Sequence, residues 1–156
     1  MPYAEVGNVK LFYTDEGAGD PPILFVHGYS CDSHDWSWQI PHFVGSHRVI
    51  AMDNRGHGRS GVPESGYDHD DFANDTANLL GGMALESVSA PHLARRKCPV
   101  LTMYTDPGRA ALEATLMSDS RSRAVSFEGS GHWLHQERPA EFNYLVESWL
   151  AGLAAS

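Results

Sequence analysis

Four side chains suited to acid–base chemistry stand where apolar runs of the chain stop. His27 follows Ile23-Leu24-Phe25-Val26, and Asp53 follows Val49-Ile50-Ala51-Met52. Asp106 lies just beyond Val100–Tyr104, and His132 ends the Gly129-Ser130-Gly131-His132 stretch after Ala124–Phe127. A carboxylate beside an imidazole fixes its tautomer and stabilises its cation. Asp106 and His132 could therefore furnish a general base near neutral pH. Each also has a plainer reading, Asp106 as a turn residue before Pro107 and His132 as a loop histidine. His132 and His135 are spaced to share a helical face, but no acidic or cysteine partner sits at a matching distance, so no metal site is expected. The string Arg55-Gly56-His57-Gly58-Arg59-Ser60-Gly61 invites a phosphate-loop reading. Its third glycine falls one place early for GxGxxG and no GxxxxGK[ST] occurs, which leaves nucleotide binding a weak alternative.

The elements that must position these groups read as follows. Tyr3–Val6 and Val9–Tyr13 form a hairpin about Gly7-Asn8, with Val9, Leu11 and Tyr13 on one face and Lys10, Phe12 and Thr14 on the other. Residues 23–26 and 49–52 are wholly apolar, as buried parallel strands are. A short helix is expected over 36–43, limited by Pro41, and a longer one over 68–80, stopped by Gly81-Gly82. Strands are expected at 100–104 and 124–127, and a helix at 110–117. Phe142, Leu145, Val146, Trp149, Leu150 and Leu153 make the apolar stripe of a last helix with Pro139 near its first turn. Strands alternating with helices behind a hairpin predict an α/β fold: a mostly parallel sheet of about six strands, with helices on both faces. Ligands bind beyond the carboxyl ends of such strands, which would gather His27, Asp53, Asp106 and His132 on one edge.

Composition bounds the partners. The 156 residues suit one domain, 1–156, able to bury its core without a staple. Lys and Arg number 11 against 20 Asp and Glu, a formal net charge of −9. Such a surface repels nucleic acid and anionic membrane faces, and no basic run offsets it. The two cysteines, Cys31 and Cys98, form neither a CxxC pair nor a disulfide framework. No apolar run is long enough to span a bilayer, and the first residues lack a signal segment, so a cytoplasmic protein is expected.

Four stretches, in this order, carry a resemblance: Phe25-Val26-His27-Gly28, Asp53-Asn54-Arg55-Gly56-His57-Gly58-Arg59-Ser60, Cys98-Pro99-Val100-Leu101 leading to Asp106, and Gly131-His132-Trp133-Leu134-His135-Gln136-Glu137-Arg138-Pro139. The chain resembles an α/β-hydrolase, of the kind found among small esterases, lactonases and haloperoxidase-like members. The resemblance implies that His132 is the catalytic base and Asp106 the acid that orients it. It implies an oxyanion loop at Gly28 and Tyr29, and a bracing loop at Asp53 and Arg55–Ser60 in which Ser60 is structural. It implies a small-molecule substrate, an ester or a lactone, and no cofactor.

One part of the family pattern is missing. The nucleophile belongs in GxSxG, with chain order serine, acid, histidine. Ser30 and Ser60 each follow a glycine two places back but lack the glycine two places on, and Ser130 directly precedes the His132 loop. Ser30 and Cys31 are weak stand-ins. Gly81-Gly82-Met83-Ala84 resembles the tail of an elbow whose serine is gone, and equally a helix cap. The 19 residues from Gly81 to Pro99 cannot hold the strand, nucleophile helix, further strand and lid that the family places there. The resemblance therefore implies an internally shortened hydrolase, natural or engineered, with a core deletion around 81–98. Strand 100–104 is then expected beside 23–26, giving the order hairpin, 49–53, 23–26, 100–104, 124–127. An apolar face uncovered by the deletion could support a homo-oligomer. Two functions follow: a hydrolase with weak or no turnover, or a non-catalytic scaffold or binding module.

Overall fold

The computed structural model describes residues 3–83, 99–117 and 119–155. The chain packs as two compact units, Met1–Pro91 and His92–Ser156.

In the first unit, β1 (Tyr3–Val6) and β2 (Val9–Glu16) pair antiparallel, Val6 opposite Val9, across a turn in which Gly7 takes φ +56°. β2 runs past the hairpin expected to end at Tyr13. Its second half has a partner of its own, Tyr13–Glu16 pairing antiparallel with Met52–Val49 of β4 (Val49–Met52). β3 (Ile23–Val26) lies parallel on the other side of β4, Ile23 opposite Val49. The order β1-β2-β4-β3 is the one the sequence predicts for these four strands. Every residue of β4 is buried, as a continuous apolar run in a central strand must be.

The helix expected over 36–43 is instead a 3₁₀ turn (Ser33–Trp36) and one turn of α1 (Ile40–Phe43). Pro41 has no N–H and its ring displaces the preceding carbonyl, so it fits the first turn of a new helix but not the middle of a longer one. α2 (His69–Gly82) opens on a capping box, the Asp68 carboxylate accepting the Asp71 N–H at 2.9 Å and Asp71 accepting that of Asp68 at 3.2 Å. Gly81-Gly82 lie inside α2, at its end; Met83 closes it, donating to the Leu79 and Leu80 carbonyls. Gly81-Gly82 thus form the last residues of a helix, in line with the helix-end reading of these glycines. Leu79 packs with Val6, Val9, Leu11 and Met52 to form the core.

In the second unit, β5 (Leu101–Tyr104) and β6 (Arg123–Ser126) are parallel, joined through α3 (Pro107–Leu116). α3 starts three residues before the expected Ala110, because Asp106 caps it and Pro107 takes its first position. α4 (Leu134–Glu137) is a single turn, and α5 (Pro139–Ala154) half-buries all six residues of the expected stripe.

The strands make a four-stranded and a two-stranded sheet. Both parallel pairs, β3 with β4 and β5 with β6, join consecutive strands through a short helical crossover. That is the pairing with the least loop entropy to overcome. The inferred deletion, beyond Met83, and Cys98 lie outside the described residues.

Candidate active site

The loop after β3 is held by what lies beneath it. His27 is buried. Its Nδ1 meets the Gly28 carbonyl at 2.7 Å and its Nε2 meets the Asn54 N–H at 2.8 Å. A carbonyl only accepts and an N–H only donates, so His27 is neutral with its proton on Nδ1. The Asn54 side chain returns a bond to the His27 carbonyl at 3.0 Å. Two turns of chain are thus latched at the carboxyl ends of neighbouring strands. Past the latch Gly28, Tyr29 and Ser30 are exposed, Tyr29 at 88%. The Tyr29 N–H has no acceptor among the described residues. A bare N–H on a fixed loop is the requirement of an oxyanion donor.

The same loop is fastened downstream through Asp53, whose carboxylate is fully buried. Asp53 Oδ1 accepts the Ser33 N–H at 2.8 Å; Oδ2 accepts the Arg59 N–H at 2.9 Å and Nε at 3.0 Å. Burial pushes this carboxyl up, but hydrogen bonds from Ser33 and Arg59 outweigh it and hold it at about 2. Arg59 also donates to Ser33 Oγ at 2.7 Å and lies 3.5 Å from the Phe12 ring centroid. Ser60 Oγ donates to the Asp53 carbonyl at 2.6 Å and accepts the Phe12 N–H at 2.9 Å, so both its bonds are structural. Arg55 makes a buried two-point pair with Asp75, both bonds at 2.6 Å, and donates to the Gly66 carbonyl. Gly58, at φ +51°, sits against the Asp53 carboxylate. A phosphate in this loop would meet that anion, which weighs against the nucleotide alternative.

Between the exposed loop and α2 lies a cavity of about 400 Å³ lined by Val26, His27, Tyr29, His57, Phe72 and Thr76 among others. Of the stand-in nucleophiles, Ser30 takes φ +63° and gives its N–H to His57 Nε2 at 3.3 Å. The Cys31 thiol donates toward the Tyr29 carbonyl at 3.5 Å. Burial, then a hydrogen bond with Asp35 and the charges of Asp35 and Asp32, push that thiol up, away from the reactive thiolate.

In the second unit, Asp106 and His132 both lie beyond the carboxyl ends of adjacent parallel strands, as expected. The structure does not bring them within hydrogen-bond distance of each other. Asp106 Oδ1 instead accepts the Gly108 N–H at 2.8 Å, and its side chain is 60% exposed. His132 is exposed, its ring set edge-on to Trp133 at 4.7 Å. The loop that carries it is better defined than the ring. Glu137 accepts the Gly131 N–H at 2.6 Å and the Trp133 N–H at 3.2 Å, gripping the residues on either side of His132. The sequence motif contains Glu137 without marking it as a clamp. Its signal was there, a glutamate two places before Pro139 and on the turn that follows the histidine. Among the described residues no cluster of three or more His, Cys, Asp or Glu could hold a metal, and no helix is long and apolar enough to cross a membrane.

Comparisons with known proteins bear on this frame. A family model described as alpha/beta hydrolase fold matches residues 21–92. A non-heme chloroperoxidase of Streptomyces lividans is 38% identical over 115 residues, 70% of this chain and 41% of that protein. A solved structure of Est816, described as an N-acyl homoserine lactone degrading enzyme, aligns with TM-score 0.51 at 28% identity over 80% of this chain and 42% of the other. The crystal structure of a membrane phospholipase A aligns with TM-score 0.82 over 99% of this chain and 86% of the other; at 15% identity that likeness concerns the fold alone. The chain spans about a third of the length of the first curated relatives it matches.

Proposed function

Because this chain belongs to the α/β-hydrolase fold family, we propose that it is a hydrolase of small esters or lactones, with His132 as base, Asp106 as the acid that orients it, and weak turnover. The observation that carries this reading is the bare Tyr29 N–H, presented beside an apolar cavity on a loop latched through His27, Ser33 and Asp53. No serine of the sequence stands in GxSxG, so the reaction in this reading is attack by water. His132 takes a proton from water as the new C–O bond forms. The carbonyl oxygen becomes an anion, which a backbone N–H donor stabilises. Collapse breaks the ester C–O bond, and the proton on His132 passes to the departing alkoxide. Loss of the covalent step costs two to three orders of magnitude or more, by the scale on which single catalytic devices contribute about 10²–10³.

A second reading, a scaffold without turnover, is favoured by one specific observation. Asp106 spends a carboxylate oxygen on capping α3 and makes no bond to His132. One experiment separates the two. Purified wild type and His132→Ala are compared for hydrolysis of p-nitrophenyl acetate, each above buffer alone. The hydrolase reading expects the variant to fall to the buffer rate; equal rates leave only the scaffold. A fluorophosphonate probe is expected to label no serine in either protein.

A further inference from the structure

We propose that His57 is a positioning residue of the 28–30 loop, acting only as a neutral ring, so that its protonation releases the loop. His57 Nδ1 lies 2.9 Å from the Arg55 carbonyl, and its Nε2 accepts the Ser30 N–H at 3.3 Å. The carbonyl can only accept, so the ring proton is on Nδ1. The Ser30 N–H can only donate, so Nε2 must carry a lone pair. The tautomer is thus fixed from both sides, in the same sense as His27 one shell deeper. The ring is also seated by aromatic neighbours, His27 at 5.3 Å, Tyr29 at 5.6 Å and Phe72 at 6.4 Å between centroids.

The backbone gives the bond its importance. Among the described residues Ser30 is the non-glycine residue with positive φ, at +63°, a conformation that a residue with a side chain adopts at a steric cost. Something must hold it there, and the partner of its N–H is His57. Tyr29, whose N–H is the proposed oxyanion donor, is the residue just before it. It is gripped between His27, latched to Asn54, and Ser30, latched to His57. Protonating His57 places a second N–H against the Ser30 N–H, which turns attraction into repulsion. Titratable groups face this ring from each neighbouring element: His27 at the end of β3, Tyr29 on the loop itself, Tyr67 before α2 and His69 at its start. Arg55, which supplies the carbonyl, turns its guanidinium away to Asp75 and Gly66. Among the described residues no carboxylate pairs with His57. The ring therefore loses its acceptor as pH falls through its titration, and the loop is held on the alkaline side.

This inference takes its functional meaning from the hydrolase reading, but its test does not need turnover. The full chain, labelled with ¹⁵N, is titrated from alkaline to acid pH. The His57 ring nitrogens and the Ser30 amide are followed, with amide exchange corrected for its intrinsic pH dependence. At high pH the ring is expected in the Nδ1–H form. As it protonates, Ser30 exchange is expected to rise about three- to ten-fold, the range one modest hydrogen bond allows. His57→Gln, whose side-chain oxygen can still accept, is expected to keep Ser30 protected at all pH values. His57→Phe, which fills the ring's place without an acceptor, is expected to be unprotected and flat with pH. An Nε2–H tautomer at high pH, or Ser30 exchange that ignores the His57 titration, overturns the proposal even should His57→Phe fail to fold. Loss of ester hydrolysis with the Ser30 titration intact breaks the hydrolase reading alone.

Discussion

The two loops that carry the candidate chemistry are built differently. Around Asp53, every charged group is matched inside the protein: Asp53 with Ser33 and Arg59, Arg55 with Asp75, Ser60 with two backbone groups. Around His132, one carboxylate, Glu137, clamps two backbone N–H groups at the surface, while Asp106 and His132 stand in solvent. A buried, fully satisfied network is costly to disturb and therefore specifies one geometry. Exposed groups are cheap to move. The chain thus defines rigidly the loop around Tyr29, the proposed oxyanion donor, and leaves the proposed base and acid, His132 and Asp106, to be set by whatever they meet. On the proposed hydrolase reading, that contrast is a reason to expect slow turnover.

The contrast is broken most directly at the Arg55–Asp75 pair, where both side chains are about one-twentieth exposed. Asp75→Ala leaves a buried guanidinium with no carboxylate at bonding distance, since Asp71 lies 3.8 Å away and is partly exposed. The expected loss is about 3–5 kcal/mol, the range for removing one partner of a buried pair. It is read as the shift in urea midpoint at unchanged slope. A loss under about 1 kcal/mol would equate this pair with a surface ion pair and erase the distinction between the two regions.

Next in size is Gly58→Ala. A Cβ at this position falls within contact distance of the Asp53 carboxylate, 2.7 Å from Cγ, on a backbone at φ +51°. Steric cost and displaced hydrogen bonds together are expected to remove about 2–3 kcal/mol. Gly61 lies in the same loop without positive φ, and its added Cβ would meet nothing nearer than 3.4 Å. Gly61→Ala is therefore expected to be nearly silent. Thermal or urea unfolding of the two variants side by side checks both statements, and equal losses would show that loop glycine content, not the approach to Asp53, matters.

The sequence made the frame more legible than the network. Ile23–Val26 and Val49–Met52 are read as buried strands because four consecutive apolar residues have few other uses, and the six-residue stripe of α5 repeats at helical spacing. Polar residues that end such strands were legible for the same reason. What escaped is non-local or competes locally. Arg55 and Asp75 are twenty residues apart, and nothing in the helical pattern of α2 marks Asp75 as buried. Gly81-Gly82 reads as a stop, and α2 ends on these two glycines rather than just before them. The His57 bond to Ser30 has no sequence signature at all, since it depends on which ring nitrogen carries the proton.

The smallest expected stability effect is also the one that decides what Asp106 is for. As the cap of α3 it gives an oxygen to the Gly108 N–H at 2.8 Å, and Arg109, at 4.0 Å and largely exposed, adds little. Asp106→Ala is expected to cost about 1 kcal/mol, and Asp106→Asn a few tenths at most, because asparagine caps about as well as aspartate. Activity separates the roles that stability cannot. An asparagine restores the cap but cannot stabilise an imidazolium on His132. If Asp106 orients the base, Asp106→Asn lowers any ester hydrolysis by about ten-fold or more while unfolding like wild type. If Asp106 only caps, Asp106→Asn keeps both the rate and the stability, and His132 works, if it works, without a carboxylate. The pair of measurements on one variant therefore sharpens the comparison between the loops to a single side chain: an acid that belongs to the site, or one that belongs to the helix.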